Sequence, residues 1–311
     1  MTRVFAALRP MRTEIAAVAL FAGLVILGAV GVAVRLAAMG IPAVCLDPSA
    51  SDPACLSRQL DLQAYSEFAA LWGGIVAYTA VALPSIAGVI LGIAAVGKEL
   101  DQRTTALAWS LAPSRRRWLA RRAGSMALFI VALGGGSAVV IAAMLRFRTS
   151  VELPPMFEFI PILGPAPIAE GLASFGVALV VGAMLGRLLP ALLAAVALAI
   201  MAFLLVTQGN ERLLANETVI VDNPGMGVVL PGRWIDSVVR LPDGRIIGWN
   251  DVYPTYANPE TGELLPGEVE LVRLAPIELY PVVAARFLLL QLVIAAVALT
   301  LGFAVTDRRT P

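Results

Sequence analysis

Residues 92–124 read GIAAVGKELDQRTTALAWSLAPSRRRWLARRAG. An uncharged run ends at Gly97, and a charged segment of 26 residues, 97–122, follows it. A second uncharged run begins at Ala123. Its opening, glycine, four residues, then Gly97-Lys98, matches the start of the phosphate-binding loop G-x-x-x-x-G-K-[ST]. The match stops there. Glu99 stands where the hydroxyl that holds Mg²⁺ is needed, and a carboxylate repels phosphate. A true loop also follows a buried strand and opens a helix, so that backbone N–H groups point at the anion. Here the glycines close a long apolar run instead. With 27 glycines in the chain, such near misses are expected.

Working outward, uncharged runs recur: Ile15–Val34, Phe68–Gly97, Ala123–Leu145, Gly171–Gly186, Leu188–Gly209 and Phe287–Thr306. Most reach the roughly 18 residues that a membrane-crossing helix requires, and the fourth extends through the preceding PILGPAP. Of the 311 residues, 59% are hydrophobic and 14% charged, with a mean hydropathy of +0.84. Water-soluble classes are excluded. The expected fold is an all-α integral membrane protein with six spans, at about 15–35, 68–97, 123–146, 166–186, 188–208 and 286–306. These form one membrane domain over residues 1–311. The first span is too long, and its exit too polar, for a cleaved signal peptide. Gly88-x-x-x-Gly92 and Gly182-x-x-x-Gly186 are spaced for close helix approach, and Pro84 is placed to kink span two.

Charge gives orientation. With the N-terminus inside, 13 of the 23 basic residues fall on short inner segments. Both termini are therefore expected in the cytoplasm. The loop 208–283 falls outside and carries 11 Asp or Glu against 5 Arg. Its β-branched runs flank Asp243-Gly244, a hairpin signal, so a small β-rich piece is expected there. Cys45 and Cys55 share the first outer loop, VCLDPSASDPAC. Two cysteines on the oxidising side suggest a disulfide, and unpaired thiols are the alternative.

The chain has no histidine and two cysteines. Ser-His catalysis, His-metal sites and His proton relays are excluded, and no catalytic, cofactor-binding or metal-binding residue is assigned. No acid lies in the middle of a span. Glu170, near the outer end of span four, reads as an interfacial charge or as a polar group lining an exit path.

The segment 97–122 needs a separate account. Leu100, Thr104, Leu107, Ala108 and Leu111 recur on one helical face, with Lys98, Glu99, Asp101, Gln102 and Arg103 mostly off it. Glu99 and Arg103 stand at i, i+4, where a side-chain pair can form. An amphipathic helix at the inner membrane surface is predicted, broken at Pro113-Ser114. Trp118 then serves as an interface anchor. Positive-inside anchoring alone explains the arginines but not a helix carrying Glu, Asp and Gln.

This pattern resembles the permeases of ABC-2 type ABC transporters, especially those common in actinobacteria. There, span two runs into a stretch like A-R-E-[FY]-E-x-G-T-x-x-L-A-W-[TS]-x-S-x-[ST]-R-x-R-W-L. Glu99 and Asp101 match the two acids, Thr104 the threonine, and Leu107-Ala108-Trp109-Ser110 the L-A-W-[TS] core. Arg115, Arg117, Trp118 and Leu119 match the end. Lys98, Arg103 and Ala112-Pro113 depart from the pattern. The resemblance implies a transmembrane permease, usually of an exporter, and no enzyme of its own. ATP and Mg²⁺ would be bound by a separate ABC ATPase subunit. That subunit would dock on Glu99, Asp101, Arg103, Thr104, Leu107, Trp109, Ser110, Arg115, Arg117 and Trp118. A second permease subunit, identical or different, and membrane lipid are the other implied partners; nucleic acid is not among them. The implied location is the cytoplasmic (plasma) membrane of a bacterium. Two rivals remain: a secondary carrier, which needs polar or broken helices at midplane, and a scaffold or sensor whose outer loop binds a ligand.

Overall fold

In the computed structural model, the described residues are 12–46, 53–102, 114–146, 157–223, 232–252 and 267–308. Among them, six helices are long and apolar enough to cross a membrane. They are α1 (Arg12–Ala38), α2 (Gln59–Asp101), α3 (Arg115–Arg146), α4 (Ala166–Leu185), α5 (Leu188–Asn216) and α6 (Tyr280–Arg308). Within α2, a single π-helical stretch, Ala69–Gly73, joins Gln59–Phe68 to Gly74–Asp101. Pro84 sits inside the last of these, and the helix runs on through it.

The helices outlast the apolar runs. α3 begins at Arg115 rather than near 123, because the arginines preceding the run are good helix formers. Helix α5 continues to Asn216 beyond the expected end of span five at 208. The segment 97–122 is thus helical at both described ends, as the last turn of α2 and the first turns of α3. The amphipathic helix expected around Thr104–Leu111 lies outside the described residues, and so do Arg103, Thr104, Leu107, Trp109 and Ser110.

Where hydropathy suggests one domain with attachments, the chain divides into two compact units. The first comprises residues 1–154, 160–206 and 287–311. Helices α2 and α4 are its interior: 72% and 61% of their apolar windows are buried, against 17–33% for the other spans. The reason is side-chain size. A Cβ on Gly88 would strike Gly171 O, and one on Gly92 would come within 2.5 Å of Phe175 O and 2.7 Å of Ala178 Cβ. A Cβ on Gly171 would stand 2.9 Å from Pro84 Cβ. Without a hydrophobic force between helices in lipid, such backbone-to-backbone contact is what packs them. Leu91, Ala95, Leu119, Met126, Ile130, Phe175 and Leu179 fill the core between α2, α3 and α4. Gly182 joins the α2–α4 seam, where an added Cβ would fall 3.2 Å from Ile93 Cα. Gly186 does not: it takes a left-handed φ of 62° and ends α4 as its cap. In the connection before α2, Cys45 and Cys55 are joined by a disulfide with Cα atoms 5.4 Å apart.

The second unit comprises residues 155–159 and 207–286. It holds a four-stranded antiparallel sheet in the order β1-β4-β2-β3, with β1 Val219–Asp222, β2 Gly232–Arg240, β3 Ile246–Gly248 and β4 Val269–Pro276. Asp243-Gly244 does turn the chain between β2 and β3, with Gly244 at φ +84°. Val239, Leu241 and Val252 form a small core under the sheet.

Candidate functional site

The charged ends of α2 and α3 meet. Arg122 lies on the buried stripe of α3 that also carries Leu119, Ala123, Met126 and Ile130. It is 4% exposed. Its Nη1 donates to Glu99 Oε1 at 2.8 Å, and its Nη2 donates to Ala94 O at 3.2 Å. The guanidinium also stands 5.2 Å from the centre of the Trp118 ring. One cation therefore holds the carboxylate, the backbone of α2 and an aromatic face at once. These contacts offset part of the desolvation of both ions, while the buried Nε of Arg122 has no hydrogen-bond partner.

Glu99 thus has a partner on α3, where the sequence suggests Arg103. Arg122 reaches Glu99 from the core side, where attraction is less screened, and Arg103 lies outside the described residues. Lys98, the residue of the false phosphate loop, donates through Nζ to Glu14 Oε1 of α1 at 2.6 Å. Gly92 and Gly97 are interior helix positions against α4, so no loop cradles an anion there. On the exposed face, Arg116 donates through Nε and Nη2 to Asp307 Oδ2 of α6 at 3.0 and 2.8 Å. Arg115 Nη1 reaches Asp307 O at 3.4 Å. Arg116 is three-quarters exposed, and a surface pair of this kind adds little stability.

Five of the residues expected to form one contact surface can be placed. Glu99 is absorbed into the ion pair, Trp118 is half-buried beneath Arg122, and Arg115 is turned towards α6. Asp101 and Arg117 are exposed. The other five lie outside the described residues. Arg122, Glu14 and Asp307 were not singled out by the sequence. Arg122 had a signal: it is a charge on the i, i+3, i+4, i+7 stripe of an apolar helix, and a buried charge demands a partner.

Glu170 of α4 is half-buried and faces α2. Ser85 Oγ of α2 donates to its Oε1 at 2.8 Å, and its Oε2 is buried with no hydrogen-bond partner. Among the described residues, no group of three or more His, Cys, Asp or Glu could hold a metal ion.

A family model described as ABC-2 membrane transporter related matches residues 15–209, more than half of the chain. No curated protein and no solved structure matches.

Proposed function

The chain belongs to the ABC-2 membrane transporter related family, and from that premise we propose that it exports its substrate and is driven through the charged ends of α2 and α3. As a member, it is a multi-pass permease of an ABC transporter that works with an ABC ATPase subunit. The observation that carries the finer reading is the Glu99–Arg122 pair. It fixes the end of α2 to the start of α3 and to the packed interior, while leaving Asp101 and Arg117 exposed. A force applied to the exposed groups is thereby delivered to the core helices.

In this reading residues 97–122 face the cytoplasm and the ATPase docks there. ATP and Mg²⁺ belong to that partner, whose movement on binding ATP is passed to α2. Both termini are cytoplasmic, the sheet unit is on the outer side, and a second permease copy or relative completes the pathway. The membrane is the cytoplasmic membrane of a bacterium. The support is the basic inner segments, the acidic 208–283 stretch and the likeness of 98–119 to the family motif.

The test is charge reversal of the exposed pair. Asp101→Arg combined with Arg117→Glu should reduce co-purification of the ATPase in mild detergent and lower coupled ATP hydrolysis. The thermal midpoint of the permease should not move. Undiminished ATPase recovery and coupling would overturn the proposed docking site. Recovery of an intact complex containing no ATPase subunit would overturn the coupling mechanism.

A further inference from the structure

A cavity of about 190 Å³ lies among α1, α2 and α3. Its walls include Ala22, Val25, Ala80, Leu83, Gly136 and Ser137. Val25 stands midway along α1, so the cavity sits deep in the apolar part of the spans. Ile26, which also lines it, is 53% exposed.

Two observations show that this space is more than a packing fault. The first is Ser137. It is 3% exposed, lines the cavity, and its Oγ has no hydrogen-bond partner. A hydroxyl unsatisfied at this depth is costly, and in a helix it would ordinarily turn to a carbonyl of the preceding turn. The second is Gly136. Three glycines follow one another at 134–136. Gly134 has a packing reason, since a Cβ there would fall 2.7 Å from Ile168 Cγ1. A Cβ on Gly136 would meet nothing within 4 Å. Glycine weakens a helix relative to alanine, and here no close approach compensates. Gly136 is exposed and lines the cavity, so a large side chain there would project from its edge.

We propose that this cavity is a binding site for a small apolar molecule carrying one hydroxyl, such as a phenol or a medium-chain alcohol, which enters sideways from the membrane. The apolar walls take the ring or chain, and Ser137 Oγ takes the hydroxyl. The size fits: an engineered apolar cavity of about 150 Å³ in another protein accepts benzene. The exposed lining at Ile26, Ala132 and Gly136 lets a longer chain trail into lipid. The site concerns binding to this chain alone and does not rest on coupling to an ATPase.

The test is photolabelling of the full chain in detergent micelles with octanol bearing a diazirine on its chain. Labelled peptides are mapped by mass spectrometry, and the matched alkane without the hydroxyl is run in parallel. Labelling should concentrate on the α1, α2 and α3 segments around Val25, Leu83 and Ser137, and the alcohol should exceed the alkane. Gly136→Leu should abolish it. Ser137→Ala, which keeps the fold, should lower alcohol labelling about fivefold, the effect of one lost hydrogen bond. Gly135→Leu should label like the wild type, because Gly135 is also unobstructed but does not line the cavity. Excess unlabelled octanol should compete. Labelling unchanged in both Gly136→Leu and Ser137→Ala would overturn the proposal. So would suppression by added diacyl lipid, which would assign the cavity to bulk acyl chains.

Discussion

At the scale of single residues, glycines and one arginine decide most. Gly92 looks like half of a nucleotide loop in the sequence and is a helix-crossing point in the fold. Gly92→Leu should therefore destabilise the protein by at least the roughly 1–3 kcal/mol of an overpacked core, since the obstruction is backbone that cannot turn aside. Thermal unfolding followed by size-exclusion chromatography measures this. Gly135→Ala, with open space around it, should leave the midpoint unchanged. Arg122→Ala leaves Glu99 facing the core side without its guanidinium partner. Breaking such a pair typically costs about 3–5 kcal/mol, whereas Arg122→Met with Glu99→Leu should recover much of that loss. A double variant that restores thermal stability but not coupled ATP hydrolysis would separate the pair's mechanical role from its structural one. Equal loss in single and double variants would count against the ion pair as the cause. Arg122 was readable in advance from the stripe it shares with Leu119, Met126 and Ile130. Its partner was not, because the sequence places Arg103 nearer to Glu99 and says nothing about which helix stands beside it.

At the scale of elements, hydropathy located all six long helices, because an uncharged run of that length has few other fates in lipid. It missed their ends. Arginines at 115–117 and polar residues at 208–216 continue a helix well beyond the apolar core, and hydropathy does not register helix propensity. Gly186 was misread for a related reason: spacing cannot tell a packing glycine from a cap whose φ is positive. The Asp243-Gly244 turn was legible because its chemistry is local. Asp243 accepts the Arg245 backbone N–H at 2.9 Å and the Arg245 guanidinium at 2.6 Å. The backbone hydrogen bond, then the side-chain one, holds its carboxyl below the ordinary range. A lowered value means support for the turn that is complete above the carboxyl's unfolded pKa and is lost as pH falls through the folded one. Hydrogen exchange at the Arg245 amide, corrected for intrinsic rates, should be slower than in an Asp243→Asn variant at neutral pH and should approach that variant's rate in acid. The Cys45–Cys55 bridge has a sequence separation of 10. Closing a loop that short restrains the unfolded chain by about 3 kcal/mol, so Cys45→Ser with Cys55→Ser should lower the thermal midpoint, and reductant should have no further effect on that variant.

At the scale of the whole chain, the two compact units follow different rules. The first is built from size complementarity between helices, which a sequence signals only as an abundance of glycine and alanine. The second is built from alternation and turn chemistry, which a sequence spells out. That difference explains why the sheet was foreseeable and the identity of the buried pair α2 and α4 was not. The seam between those two helices has a consequence for motion. Glycines 88 and 92 bring α2 so near the backbone of α4 that there is almost no side-chain padding between them. A padded joint can slide by changing rotamers; an unpadded one has no slack. The two helices should travel as a single beam through any transport cycle, with flexing confined to the looser helices around them. Spin labels placed on α2 and α4 should report one unchanging distance with and without nucleotide on the partner subunit. A separation that shifts between those states would mean the beam bends after all.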